Sequence, residues 1–119
     1  MLFRSEELLK AVQEAADECK KLYIPNEKIS RAVKKADEIF AKINRVMPHG
    51  LGHGTGLEIH EEPFVSMRAN ENDVFKAGNI ITLEPGLYDK TLGGTRLEND
   101  ILITETDNEV LTHSEIFRI

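Results

Sequence analysis

Apolar residues recur at helical spacing along the first part of the chain and give way to β-branched runs after residue 45. Two stripes with apolar positions three or four residues apart predict two amphipathic helices. The stripes are Leu8, Val12, Ala15, Cys19 and Leu22, followed by Ile29, Val33, Ala36, Phe40 and Ile43. Pro25 ends the first helix and Asn26 is a plausible cap for the second. We therefore predict a helical hairpin over residues 5–45.

Four later segments rich in β-branched residues and bounded by turn formers predict the strands of a sheet. They are Leu57–Val65, Asn79–Tyr88, Thr95–Thr104 and Glu109–Thr112. Asp107-Asn108 predicts a hairpin turn between the last two. Helices followed by strands favour an α+β domain, in which the helices cover one face of an antiparallel sheet over residues 47–117. No repeat or linker divides residues 1–119, so we expect one unit.

Composition and charge exclude several classes of function. The net charge is −6, and residues 49–119 alone carry −8, because they hold five Lys or Arg and thirteen Asp or Glu. A nucleic-acid-binding surface would need the opposite sign. No run of about 18 apolar residues is present for a membrane span, and no charged-then-apolar leader begins the chain. The lone Cys19 excludes an internal disulfide and fits a buried thiol. We expect a cytoplasmic protein without nucleic-acid or membrane partners.

The candidate chemistry is concentrated in the segment His49–Glu61, where three histidines alternate with glycines. Glycines disfavour a helix and let the backbone approach a bound group, while histidines supply metal ligands or proton carriers near neutral pH. His53 has glycine on both sides and little packing to do. Glu84 and Glu98 follow in short β-like runs, so the sequence predicts a metal site built on a sheet. One imidazole among carboxylates suits Mn, Co or Zn.

Other interpretations of these residues compete with a metal site. A zinc-protease helix would need a glutamate at Gly50, and a phosphate-binding loop would need a helix to open after Gly56. Glu84 could simply be exposed at the rim of the sheet. Glu98 could pair with Arg96 on a charged outer face, since side chains two apart share a face of a strand.

Four blocks in order resemble the Xaa-Pro peptidases, that is, prolidase and aminopeptidase P. They are His-Gly-Leu-Gly-His-Gly from His49, Ile-His-Glu-Glu-Pro from Ile59, Leu-Glu-Pro-Gly-Leu-Tyr from Leu83 and Arg-Leu-Glu-Asn-Asp from Arg96. The resemblance implies the α+β "pita-bread" fold, of which this chain corresponds to the C-terminal half. It also implies hydrolysis of the peptide bond before a proline at a centre of two divalent metal ions.

The resemblance assigns a role to each candidate residue. It makes His53, Glu84 and Glu98 metal ligands, with Glu98 bridging both ions and Glu84 doubling as the acid/base. It makes His60 a hydrogen-bond donor to the oxyanion and places His49 further out, near the substrate backbone or carboxylate. The alternative for either histidine is a structural one that donates to a backbone carbonyl.

The same resemblance implies that Arg96 is a charge partner of Glu98. The family uses two more aspartate ligands, on a hairpin before the first helix, and this chain has no counterpart of them. We therefore expect the 119 residues alone to be inactive, to hold metal at partial or no occupancy, and to self-associate through an open sheet edge. The complete enzyme, with its N-terminal half, is expected to be a homodimer acting on proline-containing peptides.

The sequence leaves two alternatives open. Methionine aminopeptidases share the blocks Gly52-His53-Gly54 and His60-Glu61-Glu62-Pro63, but their last block usually reads Gln-x-Glu-His-Thr where this chain has Arg96–Asp100. Some pita-bread domains are peptide-binding modules that have lost their metals. The presence of His53, Glu84 and Glu98 together favours a peptidase.

Overall fold

The computed structural model describes residues 4–55, 61–67, 69–91, 93–112 and 117–118. Within this part, two helices precede eight short strands. The helices are α1 (Arg4–Lys20) and α2 (Ile29–Ala41). The strands are β1 (Gly52–Gly54), β2 (Glu61–Val65), β3 (Ile80–Leu83), β4 (Gly86–Asp89), β5 (Gly93–Arg96), β6 (Asn99–Ile103), β7 (Asn108–Val110) and β8 (Phe117–Arg118).

The predicted helical hairpin is confirmed. The two apolar stripes face each other and the sheets, and they bury Val12, Ala15 and Cys19 of α1 and Ala36 and Phe40 of α2. Cys19 therefore lies in the core, as its position in the stripe predicted. No helix in the described ranges combines the length and the apolar character that a membrane crossing requires.

The predicted cap of the second helix is wrong. Asn26 lies before the helix with φ +70°, a conformation that asparagine tolerates, and Lys28 occupies the N-cap position. The reason is tertiary: the Asn26 amide donates to the Phe75 carbonyl at 2.9 Å, and the Phe75 amide donates to the Glu27 carbonyl at 3.0 Å. These bonds hold the loop between the helices against the chain before β3.

The strands form two antiparallel sheets, which agrees with the predicted α+β class. The first has the order β2-β1-β3-β6-β7 and the second the order β4-β5-β8. Helix α1 contacts β3, β4 and β5, and α2 contacts β2, so both sheets are covered by helices. The hydrophobic core lies between these layers.

Two segments predicted as single strands are each divided between the two sheets. Asn79–Tyr88 contains β3 and all but the last residue of β4, with Glu84-Pro85 between them. Thr95–Thr104 contains the end of β5 and all of β6, with Leu97-Glu98 between them. Continuity was wrongly predicted because the alternation of apolar residues is local and does not show a change of sheet. Pro85 has no N–H to continue a ladder, which favours a break at that point.

The remaining strand predictions are mostly confirmed. The hairpin between β6 and β7 forms, but its turn is centred two residues earlier than predicted, over residues 104–107, and Asn108 already belongs to β7. The turn is closed by the Thr104 amide, which donates to the Asp107 carbonyl at 3.0 Å. The end of Leu57–Val65 forms β2, and residues 57–60 lie outside the described residues. Strand β1 was missed, because its two glycines are poor strand formers by propensity.

Candidate metal centre

Both predicted ligand glutamates lie where the chain passes from one sheet to the other. Glu84 follows β3 and Glu98 precedes β6. The two crossings are hydrogen-bonded to each other, since the Leu97 amide donates to the Pro85 carbonyl at 3.1 Å. The Glu84 amide donates to the Leu51 carbonyl at 2.7 Å, which ties the first crossing to the start of β1. The fold therefore brings Glu84 beside the histidine-rich segment.

His53 lies at the centre of β1 with its ring orientation fixed. Its Nδ1 lies 2.9 Å from the Gly54 carbonyl oxygen. A carbonyl can only accept, so Nδ1 carries the proton and the lone pair of the neutral ring lies on Nε2. Metal-ligating histidines commonly hold one ring nitrogen in this way and ligate through the other.

The His53 ring and the Glu84 carboxylate face each other. Nε2 of His53 lies 3.6 Å from Oε2 of Glu84, and the two side chains are 14% and 20% exposed. That separation is longer than a hydrogen bond. Oε2 of Glu84 is buried and has no hydrogen-bond partner among the described residues.

This arrangement fits a divalent metal ion. A neutral imidazole nitrogen and a carboxylate oxygen are both electron-pair donors, and a buried polar atom without a partner is rare in native proteins. A cation between the two atoms would give the buried Glu84 oxygen a partner. Nitrogen and oxygen donors of this kind suit Zn, Mn or Co.

The third predicted ligand is differently placed. Oε2 of Glu98 lies 3.6 Å from Nη2 of Arg96, and both side chains are about two-fifths exposed (41% and 39%). In the described part of the chain, no three His, Cys, Asp or Glu side chains are grouped closely enough to hold a metal ion. The structure thus brings His53 and Glu84 together and pairs Glu98 with Arg96. The ligand role of Glu98 stays a prediction.

A second group of side chains meets around Gly86 at the start of β4. His49 Nδ1 lies 2.7 Å from the Gly50 carbonyl, which leaves Nε2 to accept from the Tyr88 hydroxyl at 3.2 Å. A Cβ at Gly86 would lie 3.1 Å from His49 Nε2, 3.2 Å from the Tyr88 hydroxyl and 3.3 Å from Arg96 Cβ. His49 and Arg96 therefore both lie beside Gly86, and their roles at a site stay predictions. Tyr88 closes the motif that begins at Leu83, but the sequence alone indicates no role for it.

Two further residues at this site were missed. The Thr82 hydroxyl accepts the His53 amide at 3.0 Å, and the Tyr23 hydroxyl donates to the Thr82 carbonyl at 2.9 Å. A buried tyrosine in the loop after α1 and a threonine in an apolar strand carry no sequence signal for a site. His60, predicted to contact the oxyanion, lies outside the described residues.

The family model that matches this chain is metallopeptidase family M24, over residues 3–105. An uncharacterised peptidase of Methanocaldococcus jannaschii is 35% identical over 121 residues, covering 97% of this chain and 35% of the relative. The Xaa-Pro dipeptidase of Pyrococcus horikoshii is 37% identical over 112 residues, covering 89% and 31%.

Among solved structures, the prolidase from Pyrococcus furiosus superposes with a TM-score of 0.87 at 36% identity, covering 96% of this chain and 34% of that one. The Xaa-Pro dipeptidase from Bacillus anthracis gives 0.86 at 31% identity, covering 96% and 32%. These likenesses confirm the expected pita-bread fold and the resemblance to Xaa-Pro peptidases. The chain spans about a third of the length of each of these four proteins.

Proposed function

The chain belongs to metallopeptidase family M24, and from that premise we propose that it is part of an Xaa-Pro peptidase that hydrolyses the peptide bond before proline. The observation that carries this proposal is a facing pair of electron-pair donors at the junction of the two sheets. They are His53 Nε2 and the buried Glu84 Oε2, which has no hydrogen-bond partner in the part of the chain that the structure describes. Two of the relatives that match most of the chain are Xaa-Pro dipeptidases by name, which supports the substrate class.

Membership of a metallopeptidase family implies the use of a divalent metal. We assign His53, Glu84 and Glu98 as the ligands that this chain contributes to a centre of two ions, Mn, Co or Zn. When bound, such ions polarise the scissile carbonyl and make water nucleophilic near neutral pH. The Gly54 carbonyl supports the assignment, because it holds His53 in the tautomer that a ligand needs.

The remaining steps of hydrolysis are assigned to side chains of this chain. Glu84 accepts the proton of the attacking water and returns it to the departing proline nitrogen. His60 donates a hydrogen bond to the oxyanion. His49 and Arg96, which converge at Gly86, contact the substrate on the proline side, where Arg96 also neutralises Glu98.

We further propose that residues 1–119 form the C-terminal half of a catalytic domain whose two aspartate ligands lie outside them. The chain alone then holds metal weakly, has no peptidase activity and self-associates, while the complete protein is a cytoplasmic homodimer. Only three ligands for two ions are present here, and fewer carboxylates leave more of the metal charge uncompensated.

The test is calorimetric titration of the metal-free chain with Co²⁺. We expect His53→Gln to abolish the weak binding of the wild type, whereas His49→Gln, a matched change four residues away, leaves it intact. Glu84→Gln should behave as His53→Gln does. Equal losses in the two histidine variants, or no preference of the wild type for divalent ions, would contradict the ligand assignment and favour a metal-free peptide-binding module.

A further inference from the structure

Strands β1 and β3 are joined irregularly at His53. The two strands are paired at a single position, Gly54 with Ile81, and this register places His53 opposite Thr82. Regular ladder bonds occur on both sides, since the Thr55 amide donates to the Ile80 carbonyl at 3.0 Å and the Glu84 amide to the Leu51 carbonyl at 2.7 Å. At His53 itself, the amide donates to the side-chain hydroxyl of Thr82 at 3.0 Å.

The carbonyl that a regular ladder would use for this bond has another partner. The Thr82 carbonyl accepts the Tyr23 hydroxyl at 2.9 Å, from the loop between the two helices. The Tyr23 side chain is fully buried, and its ring lies 4.6 Å from the ring of Phe75. Asn108 Nδ2 donates to the Tyr23 carbonyl at 2.9 Å and so fixes the same residue from the β6–β7 hairpin. These contacts fix the position of the Tyr23 hydroxyl.

The close approach of β1 and β3 depends on this change of hydrogen-bond partners. A Cβ at Gly52 would lie 1.8 Å from the Thr82 carbonyl oxygen and 2.7 Å from the Tyr23 hydroxyl. The space beside residue 52 is therefore filled by the bonded carbonyl and hydroxyl. Thr82 itself is 3% exposed, so no solvent replaces its hydroxyl as acceptor.

We propose that Thr82 and Tyr23 are positioning residues for His53: the Thr82 hydroxyl replaces a backbone carbonyl as acceptor for the His53 amide, and the Tyr23 hydroxyl satisfies the carbonyl so released. The His53 ring is itself tied to the next backbone carbonyl, at Gly54. The direction of Nε2 towards Glu84 therefore follows the backbone that Thr82 holds. This inference rests on the proposed ligand role of His53, and its first readout is independent of metal.

The variants are chosen to separate the hydroxyl from the shape of the side chain. Thr82→Val keeps the shape and removes the acceptor, while Thr82→Ser keeps the acceptor. Thr95→Val is a matched control, because Thr95 is equally buried and its hydroxyl has no hydrogen-bond partner among the described residues. Tyr23→Phe frees the Thr82 carbonyl, so combining it with Thr82→Val offers the His53 amide its regular acceptor again.

The first measurement is hydrogen exchange of the His53 amide in the metal-free chain, at a temperature where circular dichroism shows each variant folded. We expect exchange to be roughly five- to tenfold faster in Thr82→Val, as for one lost hydrogen bond. Thr82→Ser and Thr95→Val should match the wild type. Exchange in the double variant should be slower than in Thr82→Val. If Thr82→Val does not fold, Thr82→Ala is compared with Thr82→Ser in the same way.

The second measurement is the affinity of the folded variants for Co²⁺. We expect Thr82→Val to weaken it by about 10- to 100-fold, the usual effect of losing a group that orients a ligand, with recovery in Thr82→Ser. A purely structural role would lower the unfolding temperature and leave the affinity of the folded protein unchanged, which would overturn the proposal. Unchanged exchange at His53 in Thr82→Val would also overturn it. A wild type that binds no Co²⁺ counts against the proposed function, and exchange then decides the role of Thr82.

Discussion

Replacing Gly52 by alanine should break the junction between β1 and β3. The added Cβ would lie 1.8 Å from the Thr82 carbonyl oxygen, 2.8 Å from its carbon and 2.7 Å from the Tyr23 hydroxyl. Ordinary contact requires about 3.5 Å, so the strands must separate by more than about 1 Å. Two of the three nearest atoms belong to the backbone of β3, which cannot rotate away as a side chain could.

The size of the effect follows from the hydrogen bonds at this point. A shift of that size lengthens three bonds beyond their working range: His53 amide to Thr82 hydroxyl (3.0 Å), Tyr23 hydroxyl to Thr82 carbonyl (2.9 Å) and Glu84 amide to Leu51 carbonyl (2.7 Å). At about 1 kcal/mol net for each bond, Gly52→Ala should lower the free energy of unfolding by about 3 kcal/mol.

The assay is urea unfolding at equilibrium, with Gly50→Ala as the matched control. A Cβ at Gly50 would meet the Ser66 Cβ at 3.1 Å, a contact that a small shift relieves. We expect that variant to lose less than about 1 kcal/mol, within the range of ordinary single substitutions. A loss below about 1 kcal/mol for Gly52→Ala itself would refute the close approach of the strands, and with it the reasoning about Thr82 and Tyr23.

Two other predictions concern the core and the catalytic residues. Burial raises the pKa of the Cys19 thiol from 9.0 to about 12, and burial also raises the pKa of Tyr23 well above 10.0. Between these pKa values the folded state keeps protons that the unfolded state loses. The contribution of Cys19 to the free energy of unfolding is therefore complete below pH 9. It falls by about 1.4 kcal/mol for each pH unit between 9 and 12. Urea unfolding at pH 8 and pH 10 measures this loss, and Cys19→Ala should make the free energy of unfolding depend less on pH. Equal free energies of unfolding at the two pH values would contradict the prediction. In the complete enzyme, His53→Ala or Glu98→Ala should abolish Xaa-Pro hydrolysis, whereas His60→Ala should retain the metal and lose about 2.7–4 kcal/mol of transition-state stabilisation. Turnover and metal content measured on the same preparations separate these cases, and wild-type turnover in His60→Ala would remove it from the mechanism.

The sequence by itself determined the helices, the α+β class and the family. Helical periodicity is a local property, so the stripes through Val12 and Phe40 predicted both the hairpin and its buried face. The blocks around His53, Glu84 and Glu98 resemble those of the Xaa-Pro peptidases, and the match to the metallopeptidase family confirms that resemblance. Cys19 was placed in the core on the same local evidence.

The tertiary structure decided where strands end and which atoms meet. The runs containing Glu84 and Glu98 look continuous, because apolar alternation is the same on either side of a change of sheet. Only the packing of two sheets under α1 places the breaks at those glutamates and puts Glu84 beside His53. Thr82 and Tyr23 are 59 residues apart, and neither stands out in the sequence from other core residues. The roles proposed for them depend on two long-range hydrogen bonds, from the His53 amide and from the Tyr23 hydroxyl, which no local pattern encodes.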